Sequence, residues 1–334
     1  MSIAGFILLA IMITAYIVLD GYDLGTAAIT PLIARTGKER AASMESIGPF
    51  WNGNEVWLIA AGASLFALFP QAYASSFSGF YLPFMVVLWL LMFRGIAMEL
   101  RSHFASELWQ NFWDFAFTAS SALLILLFGV ALGNIVRGVP LDANGYFPGT
   151  FAFLLNPYAL AIGVLACVSL GMHGAAWILI RIDGPPAERS RSLIRILWWI
   201  VLVLYVAVSV ATVLQHTGPN TRALPDWLAL LPVITVLALI AVRYWSAKGA
   251  VVPAFAASSV FLAALFATAA ATIFPYILPG YPAGHGGLSI ASAAPSPVAL
   301  ASALTVTIVG LCIVVAYTLV VSKRMMRKIV LGED

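Results

Sequence analysis

The chain has 334 residues, 62% of them hydrophobic and 9% charged, with a mean hydropathy of +0.99 and a formal net charge of +3. So few charges cannot coat a water-facing surface, which excludes an ordinary soluble domain and predicts a polytopic membrane protein. The small net charge offers nothing to a nucleic acid, and Cys167 and Cys312, both inside apolar runs, argue against a disulfide framework or a cysteine metal site.

Apolar runs of about 20 residues predict nine transmembrane helices. They fall near 3–33, 51–70, 78–98, 114–135, 158–180, 196–216, 226–243, 253–277 and 298–321. The first is longer than a bilayer requires and is expected to tilt or to end in an interfacial turn near Pro31. It lacks a basic leader and a small-residue cleavage site, so it reads as a retained helix and not a secretory signal. The expected architecture is all-α, a single integral membrane domain over 1–334. No phosphate-binding loop or dinucleotide fingerprint interrupts the runs.

Basic residues favour cytoplasmic loops. Arg35, Lys38 and Arg40 fall in the first loop, Arg94 and Arg101 close the third helix, and Arg181, Arg189, Arg191 and Arg195 surround the loop after the fifth. Arg243 and Lys248 follow the seventh helix, and Lys323, Arg324, Arg327 and Lys328 the ninth. The alternate loops hold only Arg137 and Arg222. Nine spans with a periplasmic N-terminus and a cytoplasmic C-terminus satisfy this pattern throughout.

Within that topology Asp20 and Asp23 lie about 20 residues along the first helix, at the cytoplasmic boundary given about 1.5 Å of rise per residue. Their spacing of three puts them on one helical face. The second helix starts from the same side, so Asn52 and Glu55 reach a similar depth, as do Arg94, Glu99 and Arg101. A carboxylate inside a membrane is costly without a partner or a proton, so Glu55, between Trp51 and Trp57, is the leading candidate for a proton relay. Asp20, Asp23 and Asn52 are further candidates, with Trp51, Asn54, Trp57, Arg94, Glu99, Arg101 and His173 in support. For Arg94, Glu99 and Arg101 a structural reading is equally open: pairing, helix capping or snorkelling to head groups.

Histidines limit the redox chemistry. Of His103, His173, His216 and His285, only His173 sits well inside a predicted span, so a bis-histidine haem is not expected here. His173 itself has two readings, an interhelical hydrogen bond beside small neighbours or a contact with a quinone or proton path. No catalytic residue and no metal site are assigned.

Three ordered motifs carry a family resemblance. Asp20-Gly21-Tyr22-Asp23-Leu24-Gly25, Trp51-Asn52-Gly53-Asn54-Glu55-Val56-Trp57-Leu58 and Phe93-Arg94-Gly95-Ile96-Ala97-Met98-Glu99-Leu100-Arg101 resemble subunit II of cytochrome bd-type quinol oxidases. His173-Gly174-Ala175-Ala176 and Leu288-Ser289-Ile290-Ala291-Ser292-Ala293-Ala294 extend the match over nearly the whole chain. Its short loops are similar to those of the cyanide-insensitive branch.

The resemblance implies an accessory subunit of a quinol:oxygen oxidoreductase in the bacterial plasma (inner) membrane. Haem b, haem d and the quinol-oxidising loop are expected in a partner, subunit I. The complex is expected to oxidise quinol, reduce dioxygen to water and take its chemical protons from the cytoplasm. A small extra subunit, membrane lipids and a structural quinone or lipid are further expected partners. The family often has aspartate where this chain has Asn52, and an amide cannot carry a proton as a carboxyl does. The alternatives are a proton-coupled transporter and a purely structural scaffold.

Overall fold

The computed structural model describes residues 1–216, 229–282 and 286–331. Arg222 and His285 lie outside these residues. Among the described residues twelve α-helices follow in chain order: α1 Ser2–Ile33, α2 Gly37–Ile47, α3 Trp51–Leu68, α4 Pro70–Gly79, α5 Tyr81–Leu100 and α6 Glu107–Arg137. The rest are α7 Phe151–Leu154, α8 Pro157–Arg181, α9 Pro185–Gln215, α10 Leu230–Ala247, α11 Val251–Ile273 and α12 Pro297–Met325. Each predicted run has its helix. Among the described residues eight helices are long and apolar enough to cross a membrane, and α3 is the predicted span left out, because Asn52, Asn54 and Glu55 lower the hydropathy of its 18 residues.

Local sequence explains the breaks. Pro31 lacks the N–H that would reach the Ala27 carbonyl, and α1 stops two residues later at Ile33. Phe69 takes an extended φ of −145° before Pro70, which opens α4 as its first residue and separates α3 from it. Asn156 and Ser296 accept from the backbone N–H of Ala159 and Ala299, capping α8 and α12 ahead of their N-terminal prolines.

The bundle is built around α1, which packs on α8, α3, α6 and α11. Small residues set the closest crossings. A Cβ on Gly25 would overlap the Leu170 carbonyl of α8, and one on Gly174 would overlap the Gly25 backbone. Gly129 and Gly133 of α6 meet α8 in the same way, a Cβ on either falling 2.7 Å from the Cα of Gly163 or Ala159.

The two ends of the bundle differ in charge. At one, Arg189 pairs with Glu39 at 2.8 Å, Lys328 with Asp183 at 2.7 Å, and Arg181 donates to the Met325 and Arg327 carbonyls of the C-terminal segment. The basic loops of the sequence thus gather on one side, which the positive-inside rule makes cytoplasmic. At the other end an antiparallel pair, β1 Tyr276–Pro279 and β2 Gly287–Ser289, packs near the start of α1, and the Arg137 guanidinium lies 4.4 Å from the Tyr281 ring centre.

Candidate functional site: a buried arginine among three carboxyls

Three helices bring their polar residues to one point near the basic end. Arg94 of α5 is wholly buried and forks onto Asp20 of α1, Nη2 to Oδ1 at 2.8 Å and Nη1 to Oδ2 at 3.2 Å. Nη1 also reaches Glu55 Oε1 of α3 at 3.1 Å, and Nη2 lies 3.9 Å from Asp23 Oδ2. Asp20 and Asp23 are fully buried, whereas the Glu55 side chain is 22% exposed. The cluster therefore has one face toward the exterior and two carboxyls behind it.

Asn54, one residue before Glu55, turns inward. Its Nδ2 donates to Asp23 Oδ2 at 2.7 Å, with Tyr22 Oη at 2.9 Å and the Leu19 carbonyl at 3.3 Å. Tyr22 in turn stacks on Trp177 of α8 with ring centres 4.0 Å apart. The close α1–α8 crossing at Gly25 and Gly174 is what lets these side chains meet. Three carboxyls facing one guanidinium give the site a charge that changes with every proton gained or lost.

The other sequence candidates lie elsewhere. Asn52 is exposed, almost opposite Asn54 around the helix. Trp51 covers Gly95 of α5, and Trp57 donates from Nε1 to Thr318 Oγ1 of α12 at 3.2 Å. Glu99 is exposed and does not pair with Arg101. Arg101 instead joins a second cluster, Nη2 to Asp114 Oδ2 at 3.3 Å and to the Gly37 carbonyl at 3.1 Å, with Arg40 Nε also on Asp114 at 2.7 Å. Asp114 was legible only as a lone acid opening an apolar run. Glu39 and Arg189 are 150 residues apart, and no local signal joins them.

Glu39 lies on α2, outside the membrane-spanning helices, and has a clear electrostatic signature. Burial acts to raise its pKa, but the Arg189 hydrogen bond and the N–H groups of Arg35 and Thr36 outweigh it and hold the carboxyl below its ordinary value. It also closes a capping box with Thr36 at the start of α2.

His173 does not fit a haem ligand. Its Nδ1 meets Ser258 Oγ at 2.7 Å and its Nε2 meets the Val18 carbonyl at 3.0 Å, while its ring stacks on Phe255 at 4.7 Å. Both nitrogens are engaged and the side chain is fully buried, so it ties α8 to α11 and α1. His216 Nδ1 is similarly taken by the Thr212 carbonyl at 2.9 Å.

Fold and site together define a predominantly helical, multi-pass membrane protein with an ion-paired carboxyl cluster near its basic end. The profile of the cytochrome bd terminal oxidase subunit II family matches residues 1–325, and the chain belongs to that family. It is therefore an accessory subunit of a haem-containing quinol oxidase complex and has a subunit I as its partner. The chain is 30% identical to the "Cytochrome bd-I ubiquinol oxidase subunit 2" of Escherichia coli K12, over 93% of this chain and 90% of that protein. It is 29% identical to the "Probable cytochrome oxidase subunit 2" of Haemophilus influenzae, over 94% and 91% of the two chains. A chain in the structure of the bd oxidase from Geobacillus thermodenitrificans shares the fold, with a TM-score of 0.78 at 18% identity over 98% of this chain and 99% of that one.

Proposed function

We propose that the Glu55–Arg94–Asp20–Asp23 cluster takes up protons from the cytoplasm and passes them toward oxygen-reducing haems in subunit I. One observation carries the reading. Glu55, with 22% of its side chain exposed, is joined through Arg94 to two carboxyls that solvent cannot reach. A carboxyl at such a boundary can exchange protons with water and, through a shared guanidinium, alter the charge balance of the buried pair. Asn52, exposed and unable to carry a proton, takes no part beyond holding water at the mouth.

The remaining assignments rest on family membership and on the histidine geometry. Haem b, haem d and quinol oxidation near the outer face belong to subunit I, dioxygen is reduced to water, and the bacterial inner membrane is the location. The whole of 1–334 acts as one membrane domain. A structural quinone or lipid has its place in the apolar cleft of about 1010 Å³ among α6, α8, α9, α10 and α11, near Tyr158, Thr212 and His216.

Replacing Glu55 with Gln keeps a hydrogen-bonding side chain but removes the titrating group. Oxygen consumption by the purified complex should fall by about a hundredfold or more, the lower end of what a positioned proton-transfer group contributes, with haem content unchanged. Full turnover would sink the proposal, and loss of haem would favour a scaffold role.

A further inference from the structure

We infer that Asn54 is a positioning residue that reserves a single oxygen of Asp23, Oδ1, for the proton; the inference rests on the proton-delivery reading above. The three carboxyls of the cluster are not equivalent. Both oxygens of Asp20 are occupied by the Arg94 fork, at 2.8 and 3.2 Å, so Asp20 serves as the fixed counter-ion. Glu55 gives one oxygen to Arg94 at 3.1 Å, and 22% of its side chain is exposed. Asp23 stands 3.9 Å from Arg94, too far for a hydrogen bond, and is held instead by Asn54 at 2.7 Å.

The amide decides the rest. Asn54 Nδ2 also faces the Leu19 carbonyl at 3.3 Å, an acceptor only, so the NH₂ end and not the carbonyl end of the amide points at Asp23. An NH₂ group only donates. A proton on Asp23 Oδ2 would place two donors against each other, so Oδ2 remains an acceptor and any proton must sit on Oδ1. That atom is buried and meets no hydrogen-bonding partner among the described residues. Asn54 thus converts a symmetric carboxyl into one with a fixed acceptor side and a free side, and it fixes the rotamer in which the free side is presented. Without the amide both oxygens become equivalent and the carboxyl can swing toward Arg94, closing a second ion pair and withdrawing it from proton traffic.

The test uses the whole oxidase complex, with haem spectra as a check on assembly. Asn54→Leu should slow oxygen consumption about tenfold, the scale of one hydrogen bond to a charged group. Asn54→Ala, which removes the donor without adding bulk or a titrating group, should also slow it, and carries the test where Asn54→Leu fails to assemble. In both, the solvent deuterium isotope effect on turnover should rise, because proton transfer becomes limiting. Adding Asn54→Leu to Asp23→Asn should slow the complex no further, since Asn54 acts through Asp23. Losses that multiply in the double variant, or an isotope effect that stays put, would overturn the positioning role. Normal turnover in both Asn54 variants beside a slow Glu55→Gln overturns this inference and leaves the proton-delivery reading standing. Full turnover in Glu55→Gln overturns that reading itself.

Discussion

Arg94 is the side chain that makes three carboxyls compatible with a membrane interior. Its guanidinium offers a planar fork to Asp20 and still reaches Glu55, a geometry an ammonium group cannot reproduce. Removing a buried partner exposes the remaining charges to a low dielectric, at a cost of about 3 to 5 kcal/mol in comparable sites. Arg94→Leu is therefore expected to lower the yield of assembled complex and its thermal stability, measured by melting in detergent. Arg94→Lys should recover part of that stability but not the turnover, because one point charge cannot hold Asp20 by both oxygens. Equal melting of wild type and Arg94→Leu would contradict this account. Glu55, by contrast, is partly exposed, so Glu55→Gln should affect rate far more than stability.

Helix crossings place those side chains. Gly25 and Gly174 let α1 and α8 touch backbone to backbone, which stacks Tyr22 on Trp177 and leaves Asp20 and Asp23 facing α3 and α5. Even one methyl group at Gly25 meets the Leu170 carbonyl, a rigid backbone atom. Gly25→Ala should thus push the helices apart and destabilise the protein by about 1 to 3 kcal/mol, the usual cost of overpacking, seen as a lower melting temperature. Gly171→Ala, where the new methyl would sit 3.2 Å from the Ile29 side chain, should be milder because that neighbour can rotate. At this scale the apolar runs and prolines of the sequence announced nearly every helix. The Asp20–Arg94 contact was legible as a shared depth, whereas the division between Arg94 and Arg101 was not. Those two arginines are seven residues apart, two helical turns, and each turned to the nearest acid its own layer offered, Asp20 for one and Asp114 for the other.

Across the molecule, the cytoplasmic end is fastened by ion pairs between segments remote in sequence, with Glu39 and Arg189 at its centre. Because the folded-state pKa of Glu39 lies below the ordinary value of 4.5, its contribution to stability is present above that value. It is lost as pH falls through the lower folded-state value. Wild type should therefore lose more melting temperature than Glu39→Gln as pH falls below the ordinary value of 4.5, because protonation releases α2 from Arg189. Identical pH dependence in the two proteins would show that the pair carries no such weight.

The sequence by itself determined that this is a membrane protein, how many apolar runs it has, which side its basic loops face and which polar residues enter the bilayer. These follow from the cost of moving charge and unpaired backbone out of water, a cost that composition and spacing display directly. Only the tertiary structure decided which polar residues are partners. Asn52 faces outward while Asn54 reaches Asp23, and Glu99 is exposed while Arg101 pairs with Asp114. That choice depends on helix rotation and on glycine crossings between α1, α6 and α8, which are set by packing against neighbours and leave no mark in the spacing of any one helix.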